Sequence, residues 1–346
     1  MHPLSGTEVA LARLHDVALL DLDGVVYLGD RPVPGAPGHL ARAADAGIRL
    51  GFVTNNASRS PEDVATLLAG MGVPARPDQV VTSAQVAAAV LATRLEPAAR
   101  VLVVGAAALA DQVRLHGLTP VATADVGDGP IIGVAAVVQG FDPDIGWRDL
   151  AAATRAVRAG AWWVACNTDR TVPSAGGPLP GNGALVEAVR IATRAEPMVT
   201  GKPEPAMHAE CVRRLRAGRP LVVGDRLDTD IEGASRVGCA SLLVLTGVTT
   251  PSDLLRAAPQ HRPTYLAADL AGLLDEHPPV SGEGAARHCR SWTATADGPQ
   301  VVLSGGGDHM DALRALAAAA WSSGITGVRA DGQAAERALH ALGLAA

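Results

Sequence analysis

Short apolar runs that end in polar residues alternate along the chain with Ala-rich segments of helical length. Four of the runs are VALLDLDG, IRLGFVTNN, MVTGK and PLVVGD, which start at Val17, Ile48, Met198 and Pro220. Segments such as SPEDVATLLAGMG and EPAMHAECVRRLRAG follow in the helical stretches. Strand, loop and helix in repeating order predict a parallel sheet, whose strands are buried on both faces and so read as continuous apolar runs. Ligands of such sheets bind at the carboxyl ends of the strands. Asp21, Thr54, Lys202 and Asp225 each lie just after an apolar run, and this places them as candidates for one cleft.

The middle of the chain carries a second set of runs, ARVLVVGAAALADQVRLHG, AAVVQGF and GAWWVACNTD. None of the four cleft candidates falls there, so residues 98–183 are expected to be a domain inserted between two parts of a core, 1–97 and 184–277, and to cover the cleft. The Pro/Gly/Ser-rich stretch PPVSGEGAARH reads as a linker. Beyond it an apolar run, PQVVLSGGG, and two helical segments, HMDALRALAAAAWSSG and QAAERALHALGL, predict a small α+β extension over 278–346. The expected class is α/β: a Rossmann-like core with a parallel sheet, an inserted α/β cap and the C-terminal extension.

Composition narrows the function. The 346 residues are 48% hydrophobic and 3% aromatic with a net charge of −6, which supplies no basic field for a nucleic acid. No apolar run approaches the roughly 18–20 residues of a membrane span. The start, MHPLSGTEVALARLHD, lacks the basic opening and cleavage site of a signal peptide. A soluble, cytoplasmic protein is the expectation. Cys166, Cys211, Cys239 and Cys289 are far apart with no CxxC pair, and read as reduced, mostly buried thiols.

The pair Asp21 and Asp23 raises the chemistry. A carboxylate at a strand end can attack phosphorus and form an aspartyl-phosphate, splitting one hard displacement into two easier ones. Asp21 suits that role. Asp23, two residues on along an extended chain, suits protonation of the leaving oxygen and later activation of water. Phosphoryl transfer needs charge neutralisation, to which Mg²⁺ held by oxygen ligands including Asp225 would contribute, with Lys202 as a point charge. Thr54 and Asn55 would bring a hydroxyl and backbone amides to the phosphate oxygens. Taken singly, each element is ordinary turn or helix-cap chemistry. Their joint occurrence, each after an apolar run, favours the catalytic reading.

The stretches DLDGVVYLGDRPVPGA, FVTNNASRS, GKPEP and VGDRLDTDIEGA resemble the haloacid dehalogenase superfamily of phosphatases, over residues 16 to 275. The resemblance is to the large-cap subgroup of nitrophenylphosphatases, phosphoglycolate phosphatases and NagD-like nucleotidases. Within it the chain looks most like actinobacterial glycerol-3-phosphate phosphatases, whose C-terminal extension resembles an acetyltransferase of the GNAT type. The resemblance implies that Asp21 also binds Mg²⁺, that the Asp23 backbone carbonyl binds it too, that Asp225 is the remaining protein ligand, and that Asp230 is an acid near the metal's water. It matches Thr54 with the phosphate-binding hydroxyl and Lys202 with the motif lysine.

Substrate choice is expected from the cap, and above all from the loop ACNTDRTVPSAGGPLPGNG. There Asn167 and Asp169 either hydrogen-bond a polyol hydroxyl or hold the loop's own backbone. Relatives that take larger aromatic substrates carry a histidine beside a proline in this loop, and aligning on Pro173 puts Val172 in its place. Trp162 and Trp163 just upstream are expected in the core or on a cap-to-cap homodimer surface. A small phosphorylated metabolite follows: glycerol 3-phosphate first, phosphoglycolate second, with nucleotides and pyridoxal phosphate behind. Two other classes stay open, a sugar-phosphate mutase using the same Asp pair, and an acyl-CoA-binding regulatory role for the tail at SGGGDHMDALR.

Overall fold

The computed structural model describes residues 4–129, 131–172 and 177–345; Pro173, on which the cap loop was aligned, lies outside them. The chain forms two compact units, residues 4–50 with 216–345 and residues 51–215, and the division falls inside the strand Arg49–Thr54. The expected boundaries at 97/98 and 183/184 both lie within the second unit.

In the first unit four parallel strands lie in the order Tyr265–Ala267, Ala240–Val244, Pro220–Gly224, Val17–Leu20. Val17–Leu20 is wholly buried, as a strand covered on both faces must be. Its register sets Leu20 beside Val223, so Asp21 and Asp225 leave neighbouring strands at the same end. The extension builds a second, four-stranded sheet from Ala286–Cys289, Trp292–Asp297, Gln300–Gly305 and Gly327–Asp331, the first three antiparallel and the last parallel. Helix His309–Ser323 connects its last two strands; Asp308 caps the helix by accepting from Met310 N at 2.6 Å, and Gly324 ends it at φ +76°. The predicted linker is shorter than its composition suggested, because residues 286–289 pair with 292–297 and become a strand.

In the second unit Phe52–Thr54 pairs in parallel with Val80–Thr82. Helix Pro61–Gly70 starts at a reciprocal Ser60/Asp63 cap, and helix Ser83–Ala92 at a Thr82/Gln85 cap. A five-stranded parallel sheet follows, in the order Met198–Val199, Trp162–Ala165, Ala136–Gln139, Arg100–Val104, Thr119–Ala122. Alternation along one strand makes two cores. Val101 and Val103 pack with helices 83–92 and 107–115, whereas Leu102 and Val104 pack with helices 147–158 and 182–193. The run MVTGK, read from the sequence as a strand of the core, instead pairs with residues 164–165 at the edge of this sheet. A two-residue strand has too little pattern to announce its neighbour.

Candidate active site

Three elements of the first unit deliver three acids. Asp21 follows strand 17–20 and its N–H donates to Val223 O at 2.9 Å; Asp225 follows strand 220–224; Asp230 lies in the wide helical turn Leu227–Ile231. One carboxylate oxygen from each lies within 4.8 Å of the other two, the one convergent group of three potential metal ligands among the described residues. Asp225 and Asp230 are fully buried and Asp21 is half-buried. Two buried carboxylates beside a third are costly unless a cation joins them, and an all-oxygen donor set suits a hard divalent ion such as Mg²⁺.

The backbone is shaped to this cluster. Val248 N donates to Asp225 Oδ2 at 2.6 Å, and Arg226 N donates to Asp230 Oδ2 at 3.2 Å. A Cβ at Gly247 would stand 2.0 Å from Asp225 Oδ2, and one at Gly24, whose φ is +83°, would stand 2.5 Å from the same atom. Thr246 Oγ1 donates to Gly24 O at 2.5 Å and ties the two glycine segments together.

Asp23 is exposed on a tight loop rather than on an extended chain: the strand ends at Leu20, and the carbonyl of Leu22 accepts from the N–H groups of Val25, Val26 and Tyr27. Gly24 N donates to Tyr27 O at 2.8 Å, and the hairpin Tyr27–Leu28/Arg31–Pro32 follows. The turn therefore begins at Leu22, two residues before Gly24.

The other predicted residues belong to the second unit, where Asn55 joins them. Its Nδ2 donates to Asp169 Oδ1 at 3.1 Å and Oδ2 at 3.2 Å and to Lys202 O at 3.2 Å, while its Oδ1 accepts from Lys202 N at 2.8 Å. The Asn55 carbonyl accepts from Asn167 Nδ2 at 2.7 Å and Ser83 Oγ at 2.6 Å. Asn167 Oδ1 accepts from Asp169 N at 3.2 Å, so both ends of the buried Asn167 amide are bonded within the protein. Of the two readings of Asn167, holding the loop is the one this geometry matches.

Lys202 is buried, with Nζ 3.5 Å from Val53 O. Thr54, also buried, accepts from Asn56 N at 3.1 Å through Oγ1, a bond that does not use its own hydroxyl hydrogen.

Sequence reasoning missed two contributors. The Thr246–Gly247 pair follows strand 240–244 just as the acids follow theirs, and that punctuation was the available signal. His208, fully buried in helix Pro205–Leu215, gave no signal beyond its position. Burial, with the Lys202 charge adding to it, pushes its imidazole down to about 3, so it stays neutral. Trp163 is buried and donates to Gln139 Oε1 at 3.2 Å, and the Arg94 guanidinium lies 4.8 Å over Trp162. The four cysteines are free thiols, three of them buried.

Comparison with known proteins places this geometry. Residues 18–119 match the model of the haloacid dehalogenase-like hydrolases, residues 199–273 an HAD-hydrolase-like model, and residues 289–344 a GCN5-related N-acetyltransferase-like domain. The D-glycerol 3-phosphate phosphatase of Mycobacterium tuberculosis is 45% identical over 323 residues, 91% of this chain and 88% of that protein. The chain belongs to the haloacid dehalogenase-like hydrolases.

It is a phosphatase of that family. An acid sugar phosphatase of Staphylococcus saprophyticus is 35% identical over 260 residues, 75% of this chain and 96% of its own length. A crystal structure of the glycerol phosphate phosphatase from Mycobacterium tuberculosis in complex with magnesium superposes with a TM-score of 0.86 at 43% identity, covering 97% of this chain and 99% of that one. The N-acetyltransferase-like match agrees with the α+β extension expected from the sequence. No helix among the described residues is long and apolar enough to cross a membrane.

Proposed function

We propose that the chain is a Mg²⁺-dependent glycerol 3-phosphate phosphatase working through an aspartyl-phosphate. The observation that carries the chemistry is the convergence of Asp21, Asp225 and Asp230 oxygens within 4.8 Å. The choice of ester is supported by the 45% identity to D-glycerol 3-phosphate phosphatase over 91% of the chain. Asp21 and Asp225 would hold the ion together with the Asp23 carbonyl, with Asp230 beside its water. When bound, Mg²⁺ supplies positive charge against the repulsion between a carboxylate and a phosphate dianion.

The chain's own groups then divide the work. An Asp21 oxygen attacks phosphorus and the bond to the ester oxygen breaks. Asp23 gives its proton to the departing alkoxide, which leaves as glycerol. In the second step Asp23, now a carboxylate, takes a proton from water; the hydroxide attacks phosphorus, inorganic phosphate leaves and Asp21 is restored. Thr54 donates its hydroxyl hydrogen to a phosphate oxygen, backbone amides after Asn55 add to it, and Lys202 supplies a fixed charge. In the cap segment 98–183, Asp169 is the group assigned to the polyol hydroxyls, with Asn167 holding the loop.

The test is phosphate release by the full chain, with and without chelator, from glycerol 3-phosphate, phosphoglycolate, nucleotides and pyridoxal phosphate. Release that is fastest from glycerol 3-phosphate and vanishes with chelator is the expected result. Faster release from phosphoglycolate would overturn the ester assignment, and an isomerised phosphate ester without free phosphate would establish a mutase. The same reading places the protein in the cytoplasm, acting on a small metabolite, as a homodimer through segment 98–183; sedimentation at a monomer's mass would remove the last element.

A further inference from the structure

The turn Leu227–Ile231, which carries Asp230, is wider than an α-helical turn and runs into the short helix Glu232–Arg236. Such turns are weak by themselves, so whatever seats this one controls where the acid stands. Two sets of contacts do so from outside the acid cluster. Ile231 is buried in a hydrophobic cluster with Leu243, Leu254 and Leu266 and with Leu313 and Leu316 of helix His309–Ser323, and Leu227 packs against the same cluster. Glu232, two residues after Asp230, receives His261 Nε2 at 2.8 Å and Arg236 Nη2 at 2.7 Å.

His261 closes the turn Pro259–His261, and its segment is gripped from the other side by the extension. Trp321 Nε1 donates to Leu254 O at 2.8 Å, and the Arg262 guanidinium lies 5.2 Å over the Trp321 ring. Residues 251–262 thus stand between helix His309–Ser323 and the helix Glu232–Arg236 that continues the turn, bonded to both.

We propose that Trp321 is a positioning residue for the Asp225–Asp230 loop. Through Leu254 and Arg262 it fixes residues 251–262, and His261 hands that placement to Glu232 and so to Asp230. The extension then acts on metal binding without contributing a ligand. This inference rests on the assignment of Asp21, Asp225 and the Asp23 carbonyl to Mg²⁺, with Asp230 beside its water.

The experiment is calorimetric titration of Mg²⁺ into the full chain, for the wild type, Trp321→Phe, Trp321→Ala, His261→Gln and the Trp321→Ala/His261→Gln double variant. KM for the ester at saturating Mg²⁺ is measured alongside. Trp321→Ala is expected to weaken Mg²⁺ binding about tenfold and Trp321→Phe less. The double variant should be little weaker than the poorer single one, since both cut one path, and KM should stay within about twofold. If Trp321→Ala fails to fold, Trp321→Phe and His261→Gln carry the comparison. Folded variants that bind Mg²⁺ like the wild type, or whose effects simply add, overturn the proposal. A wild type that binds no Mg²⁺ overturns the metal assignment itself, and this inference with it.

Discussion

Asn55 and Asp169, 114 positions apart in sequence, are joined by a fork in which one amide nitrogen lies 3.1 and 3.2 Å from the two carboxylate oxygens. The same amide brackets the Lys202 peptide through its N–H and its carbonyl. One side chain therefore sets the segment after strand Arg49–Thr54, the loop at Asp169 and Lys202 relative to one another within the second unit.

Replacing Asn55 should consequently disturb all three. Asn55→Ala leaves a buried peptide and a carboxylate without their amide, a loss of about 1–3 kcal/mol. A fall in kcat/KM of about 10- to 100-fold with a lowered Tm is expected. Asn55→Asp should be worse, because it sets a carboxylate against Asp169. Steady-state kinetics with thermal unfolding check this, and unchanged values for both variants would show that the fork carries nothing.

Asp21→Asn keeps the size of the side chain and removes its nucleophilic charge. Phosphate release should drop by about 10³-fold or more while the unfolding temperature holds. Residual turnover near wild type would move the nucleophile elsewhere.

Close approach to Asp225 makes Gly247 irreplaceable. Gly247→Ala would put a Cβ 2.0 Å from Asp225 Oδ2, so the loop must shift. A destabilisation of about 1–3 kcal/mol and loss of Mg²⁺ binding are expected from denaturation and calorimetry. Gly38→Ala, where an added Cβ meets nothing within 4 Å, is the control and should bind Mg²⁺ normally.

Acid should weaken the fold through His208. The unfolded chain protonates this ring near 6.5, but burial holds the folded value down at about 3. Between those values the unfolded state binds the extra proton. Stability is therefore complete above about 6.5 and falls as pH drops toward 3, by roughly 1.4 kcal/mol per pH unit. His15 and His277, also lowered chiefly by burial, act in the same direction. His208→Gln should lose less Tm between pH 7 and pH 4 than the wild type; equal losses would acquit this residue.

The acids were legible because each closes an apolar run that can only be a buried strand: Leu20 before Asp21, Gly224 before Asp225. Asp230 came from resemblance alone, since nothing in LDTDIEG says which acid the turn will present inward. Residues 198–199 read as a strand of the core because two residues carry no periodicity, and 286–288 read as linker because ARH shows no alternation. The fit of Gly247 against Asp225 is tertiary, set by the packing of two loops, and no local pattern records it. His208 was invisible for the same reason: a polar residue on a helix discloses neither its burial nor the lysine beside it.

The cluster that unites Leu254 and Leu266 with Leu313 and Leu316 has a consequence for anyone shortening this chain. An acid sugar phosphatase matched along 96% of its length needs only 75% of the present sequence, which invites the view that the remainder is an accessory. Here the remainder furnishes most of a shared interior. A protein truncated after residue 277 would present Leu254 and Leu266 to water and is expected to aggregate, so the extension is better regarded as a wall of the catalytic body than as a passenger attached to it.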